Sequence, residues 1–400
     1  MLMSLLSSLT VVKVFTARAG KPFMHSVLRQ PYRLFFLGAA AYAVIHMLLW
    51  LAHLQGLWTI PAPISFAWHG YELLFGFAAA VICGFILTAS ENWTGYRSVN
   101  APGLLFLFLA WLLARLAALL GLSPLLVLIG DGLVLGGLTL ALARVLWLSG
   151  NRRNLRFLPI TGGLALAAIL VQLSFIEVIP HWQDWLLRAA VDLVLILMVI
   201  MGGRVIPFFT QRKLPNLDVM DPDWLGFYAT AFVVISVVLT WLVPGGVAAM
   251  FSWFAGCFLM ARLFYWSPWG TRRHPMLWIL HLGYFWLGLA LFLRGGSLAW
   301  DWMAFSDTVH AITVGGMGCL TLGMMARVTQ GHGGHEIRAP LWLVPAFALI
   351  ALAAIPRLLA AWPAIMPPQW GYSLSAIAWI LAFLIFTLGF APKLLQHRRD

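Results

Sequence analysis

The sequence predicts an all-α, polytopic membrane bundle of about twelve transmembrane helices with both termini in the cytoplasm. Three observations carry that prediction: the composition, the number of long apolar runs, and the alternation of basic residues between them. Of the 400 residues, 62% are hydrophobic and 10% are charged, whereas about a quarter of a soluble chain is charged. The 36 glycines and 21 tryptophans agree, because glycine lets membrane helices approach closely and tryptophan suits the bilayer interface. Cys83, Cys257 and Cys319 all lie within apolar runs, which argues against a disulfide framework. The net charge of +12 is scattered in short clusters rather than gathered on one stripe. It fits membrane orientation and excludes a nucleic-acid partner.

A hydrocarbon core of about 30 Å needs roughly 20 apolar residues per helix. Runs of that length, bounded by charge, proline or glycine, fall at 34–54, 65–89, 103–121, 123–148, 157–179, 185–209, 224–243, 246–267, 275–294, 304–328, 340–361 and 370–392. Only Gly121 to Ser123 separate the third from the fourth, and only Pro244 and Gly245 separate the seventh from the eighth. The organisation predicted is a segment over 1–33, one twelve-helix domain over 34–392, and a cytoplasmic tail over 393–400. The apolar part of the first 20 residues is too short to span and lacks a convincing cleavage site, so it reads as an interfacial segment.

Basic residues set the direction, since cytoplasmic loops retain positive charge during insertion. Lys13, Arg18, Lys21, Arg29 and Arg33 precede the first span, Arg97 follows the second, and Arg144, Arg152, Arg153 and Arg156 follow the fourth. Arg204, Arg212 and Lys213 come at the end of the sixth, Arg272 and Arg273 after the eighth, Arg327 and Arg338 around the end of the tenth, and Lys393, Arg398 and Arg399 at the end. Only Arg188, Arg294 and Arg357 flank the other side.

Ionisable groups inside hydrocarbon are costly and normally face a partner in the bundle. His46 lies in the first span, His69 near the start of the second, His281 in the ninth and His310 in the tenth. At about 1.5 Å per residue, His46, His69 and His310 fall within about 5 Å of one another in depth, in the outer half of the membrane, with His281 nearer the midplane. Glu72 follows His69 by one helical turn on the same face. A lone membrane histidine is more often a hydrogen-bonded helix contact than a ligand. Three imidazoles at one depth bring a metal or cofactor, for which neutral imidazole is a common ligand, level with that reading, and the residues alone leave both open. Asp131, Asp192, Arg115, Arg262 and Glu177 read as structural pairs or snorkelling groups. His332 and His335 read as part of a solvated glycine-rich loop beyond the tenth span. No nucleotide-binding glycine loop, Ser/His/Asp order or CxxC pair is present, and no internal duplication is evident.

Five blocks of the chain carry a resemblance: PYRLFFLGA from Pro31, WHGYELLFGFAAAVICGFILTASENWTG from Trp68, GGRVIPFFT from Gly202, HPMLWILHLGYFWLGL from His274 and HAITVGGMGCLTLGMMARVTQGH from His310. In this order they resemble the NnrS family of haem- and copper-containing membrane proteins associated with nitric oxide. The resemblance implies twelve helices in a bacterial inner membrane, bound haem b, copper, and a role in nitric oxide or nitrosative-stress tolerance or response. The family's helix-borne histidines fall on His69, His281 and His310, its glutamate on Glu72 and its loop histidine on His332. Tyr71 and Leu73 stand where the family usually reads histidine and methionine. A phenol and an isobutyl group are poor copper ligands, so weak or no copper binding is expected. Leu34 replaces the familiar proline near the first helix.

The helix plan is also similar to the catalytic subunit of haem-copper oxidases, in which histidines of the second and tenth helices hold a haem. The sixth and seventh spans here contain no histidine, so the copper triad of that superfamily has no counterpart and an oxygen-reducing pump is disfavoured. The resemblance therefore implies haem b between His69 and His310 as iron ligands, with His46 or His281 as a supporting or alternative ligand and Glu72 beside the macrocycle. Arg294 is the first candidate to meet the haem propionates. Haem, nitric oxide or another diatomic gas, and the lipid bilayer are the implied partners. A secondary transporter with a midplane polar site is the alternative reading.

Overall fold

A computed structural model describes residues 27–60, 65–243 and 245–395. The interfacial segment expected over the first 20 residues and the last five residues of the tail lie outside these. Among the described residues the chain is all helix, with no strand and with twelve helices long and apolar enough to cross a membrane. They are α1 (Pro31–Leu54), α2 (Ser65–Tyr71, continued through Glu72–Ala78 and Ala79–Thr94), α3 (Ala101–Leu119), α4 (Pro124–Ser149), α5 (Phe157–Phe175) and α6 (Gln183–Lys213). Then follow α7 (Asp223–Leu242), α8 (Gly245–Tyr265), α9 (Pro275–Trp300), α10 (Phe305–His310, continued through Ala311–Met317 and Gly318–His332), α11 (Val344–Leu359) and α12 (Pro368–Leu395).

Local chemistry sets the ends. Pro31 opens α1 in its first turn, where the missing N–H is no loss. The Asn100 side chain caps α3 by accepting from the Gly103 N–H at 2.9 Å, as short polar N-caps do. Asp184 sits in the first turn of α6, and Arg212 and Lys213 in its last, matching the helix dipole. The helices overrun the apolar runs at their polar ends: α2 continues through Ser90, Glu91, Asn92 and Thr94, and α10 continues to His332. Hydrophobicity marks the part of a helix in lipid, whereas hydrogen bonding carries the helix on into the interface. His332 accordingly ends a helix rather than lying in a loop, and its ring sits 5.7 Å from that of Tyr32.

Neighbours in sequence pack as antiparallel neighbours in space, and α12 returns to pack on α1, closing the bundle. α6 contacts α2, α9 and α10 as well as α5 and α7, so it ties the two halves together. Large apolar side chains such as Leu113, Leu140, Phe227 and Leu388, on four different helices, point outward and are exposed. An apolar girdle of this kind is stable only against lipid. The molecule is a multi-pass membrane protein. The helix directions put the arginine-rich loops at one end of the bundle and His46, His69 and His310 toward the other. Cys83, Cys257 and Cys319 are free thiols.

Candidate functional site

Tyr42, His46 and Trp50 follow one another at four-residue spacing on α1, so they share one face, and that face meets α2. His46 is fully buried. Its Nε2 lies 3.2 Å from Nδ1 of His69, a contact in which one ring donates and the other accepts. The Trp50 indole stacks on His69 with ring centroids 4.3 Å apart and planes at 17°. His46 stacks less closely, at 5.3 Å and 20°. Trp50 therefore covers one face of His69 and His46 engages its Nδ1, which leaves the Nε2 edge.

The backbone at this level is unusual. His69 belongs to the opening α-helical turns of α2, which widen into a π-helix over Glu72–Ala78. His310 closes the opening turns of α10, which widen into a second π-helix over Ala311–Met317. π-helical segments are rare and concentrate at functional sites. Here two of them begin within three residues of a histidine, on two separate helices. His310 Nδ1 donates to the Ser306 carbonyl at 2.9 Å, which fixes the tautomer and leaves Nε2 as the lone-pair nitrogen. His69 and His310 are half-buried and close enough to interact electrostatically, and each also feels Arg357. Arg357 is paired with Asp307 at 2.9 Å.

One turn deeper lies a buried ionic network. Arg115 of α3 bridges Glu72 and Asp131, Tyr42 donates to Glu72, and Tyr71 donates to Asp131 at 2.7 Å. Gly76 makes room for it, since a Cβ there would lie 2.6 Å from the Tyr42 ring and 2.9 Å from Arg115 Nη1. Arg115 and Asp131 thus form a structural pair, as expected. Glu72 is anchored to the same guanidinium, and the Tyr71 hydroxyl is committed to a carboxylate.

The remaining candidates separate. His281 lies elsewhere: contacts of Gly283 with Leu320 and of Gly323 with Leu280 set the antiparallel register of α9 and α10 and put His281 level with Leu322. That is more than ~15 Å along the helix from His310. His281 Nδ1 donates to the Leu277 carbonyl at 3.0 Å. The same register carries Arg294 to about the level of His310. Arg294 is 1% exposed, pairs with Asp192 at 2.7 Å, and keeps Nε and Nη1 without a hydrogen-bond partner among the described residues. Its guanidinium and that of Arg188 each lie 5.2 Å from the Phe305 ring. No group of three or more His, Cys, Asp or Glu side chains among the described residues is arranged to hold an ion alone.

Twelve membrane-length helices, paired histidines at π-helical starts and a buried Glu72–Arg115 pair now stand beside a sequence comparison. The family model described as NnrS protein matches residues 26–398. The chain belongs to the NnrS family. No curated protein matches it. Within this NnrS chain, sequence reasoning passed over Trp50 as a site residue and placed Arg357 only among the arginines of the outer face, behind Arg294. Trp50 was detectable as the residue four after His46, whereas the electrostatic influence of Arg357 on both histidines follows only from the packing of α11 on α10. The π-helices leave no periodicity signal, because an apolar run reads alike at 3.6 or 4.4 residues per turn.

Proposed function

We propose that the protein is a haem b-binding protein of a bacterial inner membrane that serves in tolerance of, or response to, nitric oxide and nitrosative stress, in which His69 and His310 would hold the iron. The observation that carries the reading is the pair of half-buried imidazoles on α2 and α10, each at the start of a π-helix and each with Nε2 left over. The donor set suits haem: two half-buried imidazoles, that of His310 held in one tautomer by the Ser306 carbonyl, a stacked indole, and the buried Nε and Nη1 of Arg294, unpartnered among the described residues, at the level of His310. A guanidinium binds a carboxylate through paired hydrogen bonds, so Arg294 would receive a propionate. When bound, the iron supplies a redox centre and, on loss of one imidazole, a position for a diatomic gas.

The residues of the chain do the rest. His46 holds His69 Nδ1, Trp50 fixes the plane of the His69 ring, and Ser306 orients His310. Ligand hydrogen bonds of this kind set ring orientation and basicity. Protein purified in detergent from haem-replete cells should show a Soret band and about one haem per chain. Purified, folded protein that stays colourless after haem supplementation would refute the reading and favour a transporter.

Copper binding is expected to be weak. The Tyr71 phenol and the Leu73 isobutyl group are poor ligands, and the phenol is already donated to Asp131. Elemental analysis should find well under one copper per chain after mild chelation, and Tyr71→His combined with Leu73→Met should raise it. Stoichiometric copper in the parent would contradict this expectation.

The basic end of the bundle should face the cytoplasm. Alkaline phosphatase fused after Arg156 or at the C-terminus should be inactive, while a fusion after Gly121 should be active. Active fusions at the basic end would invert the orientation.

A further inference from the structure

The block GGRVIPFFT from Gly202 takes no part in the imidazole site. It lies at the other, basic end, where Gly203, Arg204, Pro207 and Phe208 line a cleft of about 950 Å³ between α6 and α7. Arg153 and Arg156, from the turn before α5, complete its mouth.

No ion pair among the described residues neutralises the positive charge at that mouth. Arg204 donates to the neutral amide of Asn154 at 2.7 Å and lies over the Trp93 and Phe157 rings at 5.3 and 5.8 Å. None of Arg153, Arg156 and Arg204 forms an ion pair among the described residues, and the three guanidiniums are near enough to repel one another. Of the two acids of the cleft, Asp221 is paired and Asp223 is exposed. Asp221 takes Nε and Nη2 of Arg262 at 2.9 and 3.0 Å, and Asp223 sits in the first turn of α7, where the helix dipole favours it. A Cβ at Gly203 would lie 2.0 Å from Arg262 Nη1, so glycine there lets Arg262 reach Asp221 and leave the mouth to the other three.

Deeper in the bundle the lining turns apolar, with Ile200 on α6 and Ala231, Val234 and Ile235 on α7. From Arg204 and Phe227 this wall runs one to two helical turns toward the bilayer centre. The cleft is therefore amphipathic along the membrane normal, with guanidiniums that form no ion pair among the described residues at the interface and hydrocarbon below.

We propose that this cleft binds an anionic phospholipid, its phosphate on Arg153, Arg156 and Arg204 and an acyl chain along Ile200, Ala231, Val234 and Ile235. Guanidinium forks match phosphate oxygens, and basic pockets between membrane helices at the cytoplasmic side are a recurrent headgroup site. A free phosphate would use only the mouth, and the apolar wall favours the lipid. A set of arginines that only oriented the protein during insertion would need no cleft.

The test is thermal stability of the full chain in maltoside micelles doped with dioleoylphosphatidylglycerol, with dioleoylphosphatidylcholine, or with inorganic phosphate alone. Ligand that binds only the folded state raises the melting temperature with concentration. The phosphatidylglycerol arm should give a saturable rise and the other two arms none. The variant Arg153→Gln/Arg156→Gln/Arg204→Gln should need on the order of a hundredfold more phosphatidylglycerol, at about 1 kcal/mol per arginine. Arg272→Gln/Arg273→Gln, which removes exposed charge outside the cleft at the same end, should respond like the parent. Equal stabilisation by phosphatidylcholine, an equal loss in the control variant, or saturation by inorganic phosphate alone would each overturn the proposal. If the triple variant does not fold, native mass spectrometry of the parent decides: retained phosphatidylglycerol supports the proposal, and its absence from protein extracted with that lipid present refutes it.

Discussion

His69→Ala and His310→Ala, purified in the same detergent as the parent, are each expected to retain about a tenth or less of its haem. Loss of a first ligand exceeds the 10- to 100-fold cost typical of a supporting residue. The two variants should also resemble each other. Each leaves one imidazole on one helix, so residual haem should show the spectrum of a single axial histidine. His46→Ala should behave differently. It removes the partner of His69 Nδ1 without removing a ligand, so haem should be retained with a shifted reduction potential. His281→Ala should leave haem content unchanged, because His281 lies level with Leu322, far from His310.

Arg115→Leu is expected to cost about 3–5 kcal/mol, the range for removing one partner of a buried ion pair, and to abolish accumulation of folded protein. The side chain is 1% exposed and bridges both Glu72 and Asp131. Its loss would strand two carboxylates in the bilayer. Arg115→Leu/Glu72→Gln/Asp131→Asn, which removes all three charges together, should recover much of the loss, since hydrophobic or neutral replacements of whole buried pairs are often tolerated. Thermal melting of a fluorescent fusion on a sizing column measures both. If the single variant melts with the parent, the network contributes nothing to stability.

Much of the architecture was legible before any coordinates. Twelve apolar runs and alternating arginines follow from the low dielectric of lipid and the mechanics of insertion, and both act on composition rather than on detailed packing. The level shared by His46, His69 and His310 was also legible, because an α-helix rises a fixed distance per residue. Partnerships across helices were not. Nothing in spacing tells that Arg115 reaches Glu72 and Asp131 together, that Tyr71 is consumed by Asp131, or that Arg294 meets Asp192. Each depends on how neighbouring helices rotate about their axes. His281 shows the limit of depth alone: the run 275–294 stopped short of the true end at Trp300, which drew the residue closer to the other histidines than the register of α9 and α10 allows. The π-helices after His69 and His310 were invisible for a related reason. Widening a helix changes which side chains face a neighbour without changing how apolar the segment is.

The central claim is that one haem b is held between His69 on α2 and His310 on α10. The measurement that meets it most directly is electron paramagnetic resonance of the oxidised parent beside the double variant His69→Ala/His310→Ala, each with haem quantified per chain. The account predicts about one low-spin haem per chain with a bis-imidazole signature in the parent, and no haem signal from the folded double variant. An unchanged low-spin signal and full haem content in the double variant would contradict it.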